Sequence, residues 1–221
     1  VGSNIFNLMF VIGVCSILTP IMVQKATVVR DIPLSLGCAL FLLVLGISGL
    51  GDKTGMTLGH ADGVIFLIVF AGYIFTMVRS AMKARAAGQK IEIEGVEECD
   101  NMKELSYGKS ILFLIVGAAA IAFGGDLTVD TASRIAIELG MSQTLVGLTI
   151  VSIGTSLPEL VTSVVAARKN EVDMAVGNAV GSNIFNILMV LGISSAISPV
   201  ALIWENIIDI VLLMVFSVMV W

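Results

Sequence analysis

Pro158 and Glu159 interrupt an otherwise apolar run from Leu145 to Arg168. If that run spans a membrane, a carboxylate near its middle costs on the order of 3 kcal/mol, and an intramembrane acid of this kind reads first as a functional group. Ser152, Thr155 and Ser156 precede Glu159 by seven, four and three residues, and on a helix all three share its face. Pro158 has no amide hydrogen, and its ring crowds the carbonyl of Gly154. The helix should therefore break there and free backbone carbonyls between Gly154 and Ser156. One carboxylate, three hydroxyls and those carbonyls make an all-oxygen set. It suits hard cations such as Ca²⁺ or Na⁺ and offers nothing soft to copper or zinc.

A second polar pattern is duplicated. Val1-Gly2-Ser3-Asn4-Ile5-Phe6-Asn7 returns unchanged as Val180 to Asn186, and an ungapped extension to Pro20 and Pro199 gives 11 identities in 20. Chance in so apolar a chain predicts roughly two. In each copy a serine and an asparagine four residues apart, Ser3 with Asn7 and Ser182 with Asn186, stack on one helical face. Asn178 extends that face in the second copy.

The elements that must position these groups are membrane helices. Of 221 residues 57% are hydrophobic and only 13% charged, with a mean hydropathy of +1.02, whereas a soluble domain carries about 25% charged residues. Apolar stretches near the spanning length recur at about 3–22, 32–50, 63–81, 108–125, 143–167, 173–197 and 203–221. The unbroken run Ile65 to Phe70 excludes the alternating pattern of a barrel strand. The fold class expected is an all-α, polytopic bundle of about seven transmembrane helices. Its expected division is a first half over 1–85, an acidic loop over 86–107 and a second half over 108–221.

Basic residues set the orientation. Lys25, Arg30, Arg79, Lys83, Arg85, Lys90, Lys103, Lys109, Arg168 and Lys169 fall in alternate connections, against Lys53 and Arg134 on the other side. The positive-inside rule then makes the loops 23–31, 82–107 and 168–172 cytoplasmic. Five spans separate the starts of the two copies, so the copies cross the membrane in opposite directions. Inverted repeats with interrupted helices place a transporter's site near the bilayer midplane, at the repeat interface.

Other features are quieter. Cys15, Cys38 and Cys99 form no metal or disulfide spacing. His60 reads as a solvated loop residue, and Glu92, Glu94, Glu97, Glu98, Asp100 and Glu104 as an exposed acidic loop. Asp126, Asp130 and Arg134 read as a solvated helix end, and Asp209 as interfacial. The chain opens inside a motif and stops within an apolar run, so it is expected to be part of a longer protein.

Gly154-Thr155-Ser156-Leu157-Pro158-Glu159-Leu160, followed by Gly177-Asn178-Ala179-Val180-Gly181-Ser182-Asn183-Ile184-Phe185-Asn186, resembles the second α-repeat of the sodium/calcium exchanger family, within the cation/calcium antiporter superfamily. Val1 to Asn7 resembles the second half of the first α-repeat. The resemblance implies a ten-span protein of which this chain holds the third to the ninth span, with the first-repeat counterpart of Glu159 outside it. It implies Glu159 as a shared Ca²⁺ and Na⁺ ligand, oxygens from Thr155 and Ser156, and further walls from Ser182, Asn186, Ser3 and Asn7. Some members carry Asp where this chain has Asn186. The Gly-rich stretch Gly117 to Gly125 resembles a gating helix. Expected partners are Ca²⁺, Na⁺ and the lipid bilayer; neither a cofactor nor a nucleic-acid partner nor an enzymatic activity is expected. Three rivals stay open from the residues alone: a proton-coupled calcium antiporter, a cation channel, and an intramembrane serine protease using Ser156.

Overall fold

The computed structural model describes residues 1–20, 23, 25, 27–48, 56–86 and 106–221. Eight helices account for most of them. These are α1 (Gly2–Leu18), α2 (Thr27–Ser48), α3 (His60–Ala86), α4 (Tyr107–Glu138), α5 (143–154), α6 (Leu157–Arg168), α7 (Val172–Ile197) and α8 (Trp204–Val220). The acidic run from Glu92 to Glu104, Cys99, Lys53, Lys90 and Lys103 lie outside the described residues.

Helices Thr27–Ser48, His60–Lys83, Tyr107–Glu138 and Val172–Ile197 are each long and apolar enough to cross a bilayer. The other three expected spans are shorter or interrupted. α1 and α8 have 17 residues each, or about 25 Å at 1.5 Å per residue, and the 143–167 stretch is split into α5 and α6. α4 departs from expectation in the other direction. Its 32 residues continue past position 125 to Glu138 and carry Asp126, Asp130 and Arg134, all exposed, in unbroken helix. At about 48 Å it exceeds the roughly 30 Å hydrocarbon layer, so a charged outer portion is accommodated beyond the lipid.

Two contacts fix how the rods alternate. Strands β1 (Thr57–Leu58) and β2 (Val200–Ala201) pair antiparallel, Thr57 opposite Ala201 and Leu58 opposite Val200. Thus the ends of α2 and α7 and the starts of α3 and α8 share one side. At the opposite side Thr19 Oγ1, just beyond α1, donates to Ala167 O near the end of α6 at 3.0 Å. The two contacts require an even number of crossings between each pair of joined connections, as the charge pattern does. His60 is exposed but not merely solvated: its Nδ1 lies 2.9 Å from Ala196 O, tying α3 to the end of α7.

The core lies where α1, α2, α6, α7 and α8 meet, around Val11, Ala39, Leu42, Ala167, Val180 and Ile210. Alanines 166, 167, 175 and 179 let α6 and α7 approach closely, the usual packing device where lipid supplies no hydrophobic drive. α4 lies at the edge of the described residues, with none of its most apolar stretch buried. A Cβ at Gly63 would clash with the Ala196 amide nitrogen and lie 2.7 Å from Gly192 O. These are backbone atoms that cannot swing aside. Gly63→Ala should cost about 1–3 kcal/mol, at the upper end of that overpacking range, read as a lowered melting temperature in detergent; an unchanged melting point would show that α3 and α7 separate freely there.

Candidate ion-binding site

The helix breaks where Pro158 requires. α5 ends at Gly154, Thr155 and Ser156 form the turn, and α6 starts at Leu157 with Pro158 in its first turn, where a missing amide hydrogen costs nothing. Ser156 N donates to Ile153 O at 3.0 Å, a tightened last turn, and Leu160 N picks up Ser156 O at 3.0 Å. Gly154 is buried against Val129 of α4, and Gly125 of α4 faces the Pro158 ring closely enough that a Cβ there would lie 3.9 Å from it. The break and α4 are thus in direct contact.

Glu159 begins α6 and turns toward α7. Ser182 Oγ donates to Glu159 Oε1 at 3.0 Å, while Glu159 Oε2 is buried without a protein partner. Asn178 Nδ2 lies 3.2 Å from Glu159 O, 2.9 Å from Thr162 Oγ1 and 3.0 Å from Ser163 Oγ, which pins the start of α6 to α7. From the inverted copy, Ser3 and Ser156 hydroxyls meet at 2.7 Å.

α1 and α7 cross with two-fold regularity. Asn4 Nδ2 donates to Asn183 O at 3.3 Å and Asn183 Nδ2 to Asn4 O at 3.1 Å, residues that correspond under the 179-residue offset of the duplication. Asn7 Nδ2 donates to Asn183 Oδ1 at 3.2 Å, and its counterpart Asn186 Nδ2 to Asn4 Oδ1 at 3.0 Å. Each bond has its image in the other copy. Matching π-helical stretches start at Asn7 and at Asn186. Such widened turns concentrate at functional sites, and here they begin at the last polar residue of each motif.

Glu159, Ser182, Asn186, Asn4, Asn183 and Asn7 are therefore linked by one network of side-chain and main-chain bonds, while Ser3 and Ser156 form a separate hydroxyl pair. Thr155 lines the same cavity as Glu159, Ser3 and Asn186. Ser152 opens the final turn of α5, and its side chain lies outside the described set. Sequence reasoning passed over Asn4 and Asn183. They are identical in both copies, yet each stands one residue after its serine and so on a different helix face, where only the crossing partner gives it a role.

Two cavities converge on Glu159. One, about 410 Å³, rises past Ser3, Asn4, Thr155 and Asn186 toward Ser194, Ala201 and Asn206 on the β1–β2 side. The other lies between α4 and α6 and reaches Thr162 and Asn178. Glu159 lines both. Among the described residues no three acidic, histidine or cysteine side chains gather to hold a resident metal. The donors are hard oxygens around one carboxylate, and two buried acceptors, Glu159 Oε2 and Asn7 Oδ1, have no partner in the protein.

The sequence model for sodium/calcium exchanger proteins matches residues 1–79 and 109–221. The chain belongs to that family. It is 34% identical over 201 residues to the inner membrane protein YrbG of Escherichia coli, covering 90% of this chain and 58% of that one. It is 29% identical to the sodium/calcium exchanger MaX1 of Methanosarcina acetivorans, covering 91% and 64%. A structure of the sodium-calcium exchanger NCX_Mj soaked without Na⁺ and Ca²⁺ superimposes with a TM-score of 0.75 at 30% identity, over 99% of this chain and 64% of that one. This exchanger-family chain thus spans about three fifths of the length of such relatives. It is a multi-pass membrane protein with the inverted-repeat helical architecture that the duplication predicted.

Proposed function

We propose that the protein is a secondary antiporter that exchanges Na⁺ for Ca²⁺ across the cell membrane by alternating access, and not an enzyme. The observation that carries this is Glu159: one oxygen is held by Ser182, the other is buried and unpartnered, and the side chain stands where two cavities meet. Ligand oxygens come from Glu159, Ser182, Asn186, Ser3, Asn7, Thr155, Ser156 and Ser152. A dehydrated Ca²⁺ takes six to eight oxygens and prefers carboxylates, whereas Na⁺ makes fewer demands per ion. Ions sharing Glu159 compete, and competition at a single site exposed to one side at a time produces exchange. The halves 1–85 and 108–221 supply the two walls, with the loops 23–31, 82–107 and 168–172 cytoplasmic. The β1–β2 side and its cavity then face outward, and the groove reaching Asn178 faces inward.

The test is flux in vesicles containing the full-length protein. An outward Na⁺ gradient should drive Ca²⁺ uptake, and external Na⁺ should release it. Uptake driven equally by a proton gradient without Na⁺ would overturn the assignment. Ser182→Ala removes the donor that holds Glu159 Oε1, so Ca²⁺ affinity should fall by about 10–100-fold, the usual cost of losing a supporting bond to a ligand. Unchanged affinity in equilibrium ⁴⁵Ca²⁺ binding would remove Ser182 from the site.

A further inference from the structure

We propose that Asn4 and Asn183 are positioning residues, each fixing the amide of the ion-facing asparagine in the opposite repeat: Asn4 for Asn186 and Asn183 for Asn7. The inference rests on the exchanger reading of the site. An asparagine amide has a donor end and an acceptor end of nearly equal size, and a cation accepts only the oxygen. A site that uses Asn7 and Asn186 must therefore settle which way each amide faces.

Two main-chain carbonyls settle it. Asn183 O and Asn4 O can only accept, so the atoms facing them at 3.3 and 3.1 Å must be the NH₂ groups of Asn4 and Asn183. The oxygens of those two amides then point the other way, to Asn186 and Asn7, at 3.0 and 3.2 Å. An oxygen there forces Asn186 and Asn7 in turn to present NH₂ to the crossing and oxygen away from it. Asn7 Oδ1 is accordingly left buried without a protein partner, and Asn186 opens onto the outer cavity. The second hydrogen of Asn186 Nδ2 is directed at Ser182 Oγ, 3.5 Å away. Asn4 and Asn183 are themselves 1% and 0% exposed, so water does not compete for these bonds. Backbone geometry is converted in two steps into the facing of both ligand amides. Because the four bonds of Asn4 and Asn183 all cross between copies, each half of the protein sets the ligand of the other.

The test is a double-mutant cycle on ⁴⁵Ca²⁺ equilibrium binding to the full-length protein in detergent. Asn183→Ala should weaken Ca²⁺ binding about tenfold, within the range for outer-shell partners of metal ligands. The loss should shrink below about twofold when Asn7 is already Ala and persist near tenfold when Asn186 is Ala; Asn4→Ala should show the reverse pairing. A purely structural role gives equal losses in every background, and that additivity would overturn the proposal, as would coupling within a repeat. If the alanine variants do not fold, Asn183→Asp decides: burial keeps it protonated, so it is isosteric, donates its carboxyl O–H to Asn4 O and accepts from Asn7 through its other oxygen, and rescue of Ca²⁺ binding to within about threefold of wild type supports positioning. Loss in that variant overturns it. Absence of Ca²⁺ binding by the wild-type protein would instead defeat the exchanger reading itself.

Discussion

Glu159→Gln should abolish Na⁺-driven Ca²⁺ uptake while the protein still folds and inserts. The substitution keeps the volume and one oxygen, and Gln can still accept from Ser182, so packing around α6 is preserved. It replaces the one carboxylate this chain contributes to the network by a neutral amide whose other end is an NH₂ that repels a cation. Glu159 Oε2, buried and unpartnered, is the atom most exposed to that change. The loss of Ca²⁺ affinity should exceed the roughly 10–100-fold cost of losing an outer-shell partner, because here a ligand itself is lost. Folding should not suffer and can improve, since an uncompensated intramembrane carboxylate is costly to bury. Melting temperature and vesicle flux measured on the same preparation separate the two effects. Retained transport would exclude Glu159 from the ion path, and a collapsed melting point would make it a structural group.

The sequence announced more of this site than of the helices that carry it. Pro158, Glu159 and the repeated Ser-Asn-Ile-Phe-Asn are rare types in an apolar chain, so each stands out at once, and Pro158 breaks its helix for a local covalent reason that no tertiary context can remove. The inverted relation of the copies followed from basic residues, which obey a rule of the membrane rather than of packing. Helix ends were less legible. The apolar stretch of α4 ends near 125 and Asp126, Asp130 and Arg134 read as its solvated end, but how far that end continues, here to Glu138, is not written in the apolar pattern, because an exposed helix at the edge of the described residues can run past the lipid with its carboxylates in water. Asn4 and Asn183 were overlooked for a different reason. Their partners lie 179 residues away, and spacing within one helix says nothing about a crossing. The groove between α4 and α6 likewise depends on where a whole helix lies, which no local pattern encodes.

Gly154→Ala should slow transport by tenfold or more while leaving Ca²⁺ binding within about threefold of wild type. A Cβ at Gly154 would clash with Val129 Cγ2 of α4 and approach Val129 Cβ at 3.1 Å. Val129 is β-branched and has few rotamers in a helix, so it cannot simply turn away. α4 must then stand off from the break, or the break must shift under it. Gly154 is the last residue of α5, directly before the Thr155–Ser156 turn, and the inner groove that reaches Glu159 is walled by α4 from Phe113 to Ala122. If α4 moves across this surface to open one route and close the other, Gly154 is the place where the two must pass closely, and overpacking there costs about 1–3 kcal/mol in whichever state is tightest. A difference of about 1.4 kcal/mol between states is a tenfold change in their ratio. Val129→Ala removes the clashing methyls, so the double variant Gly154→Ala, Val129→Ala should regain most of the rate. Failure of that rescue, with both proteins folded, would show that Gly154 serves the local backbone of the break and not the passage of α4.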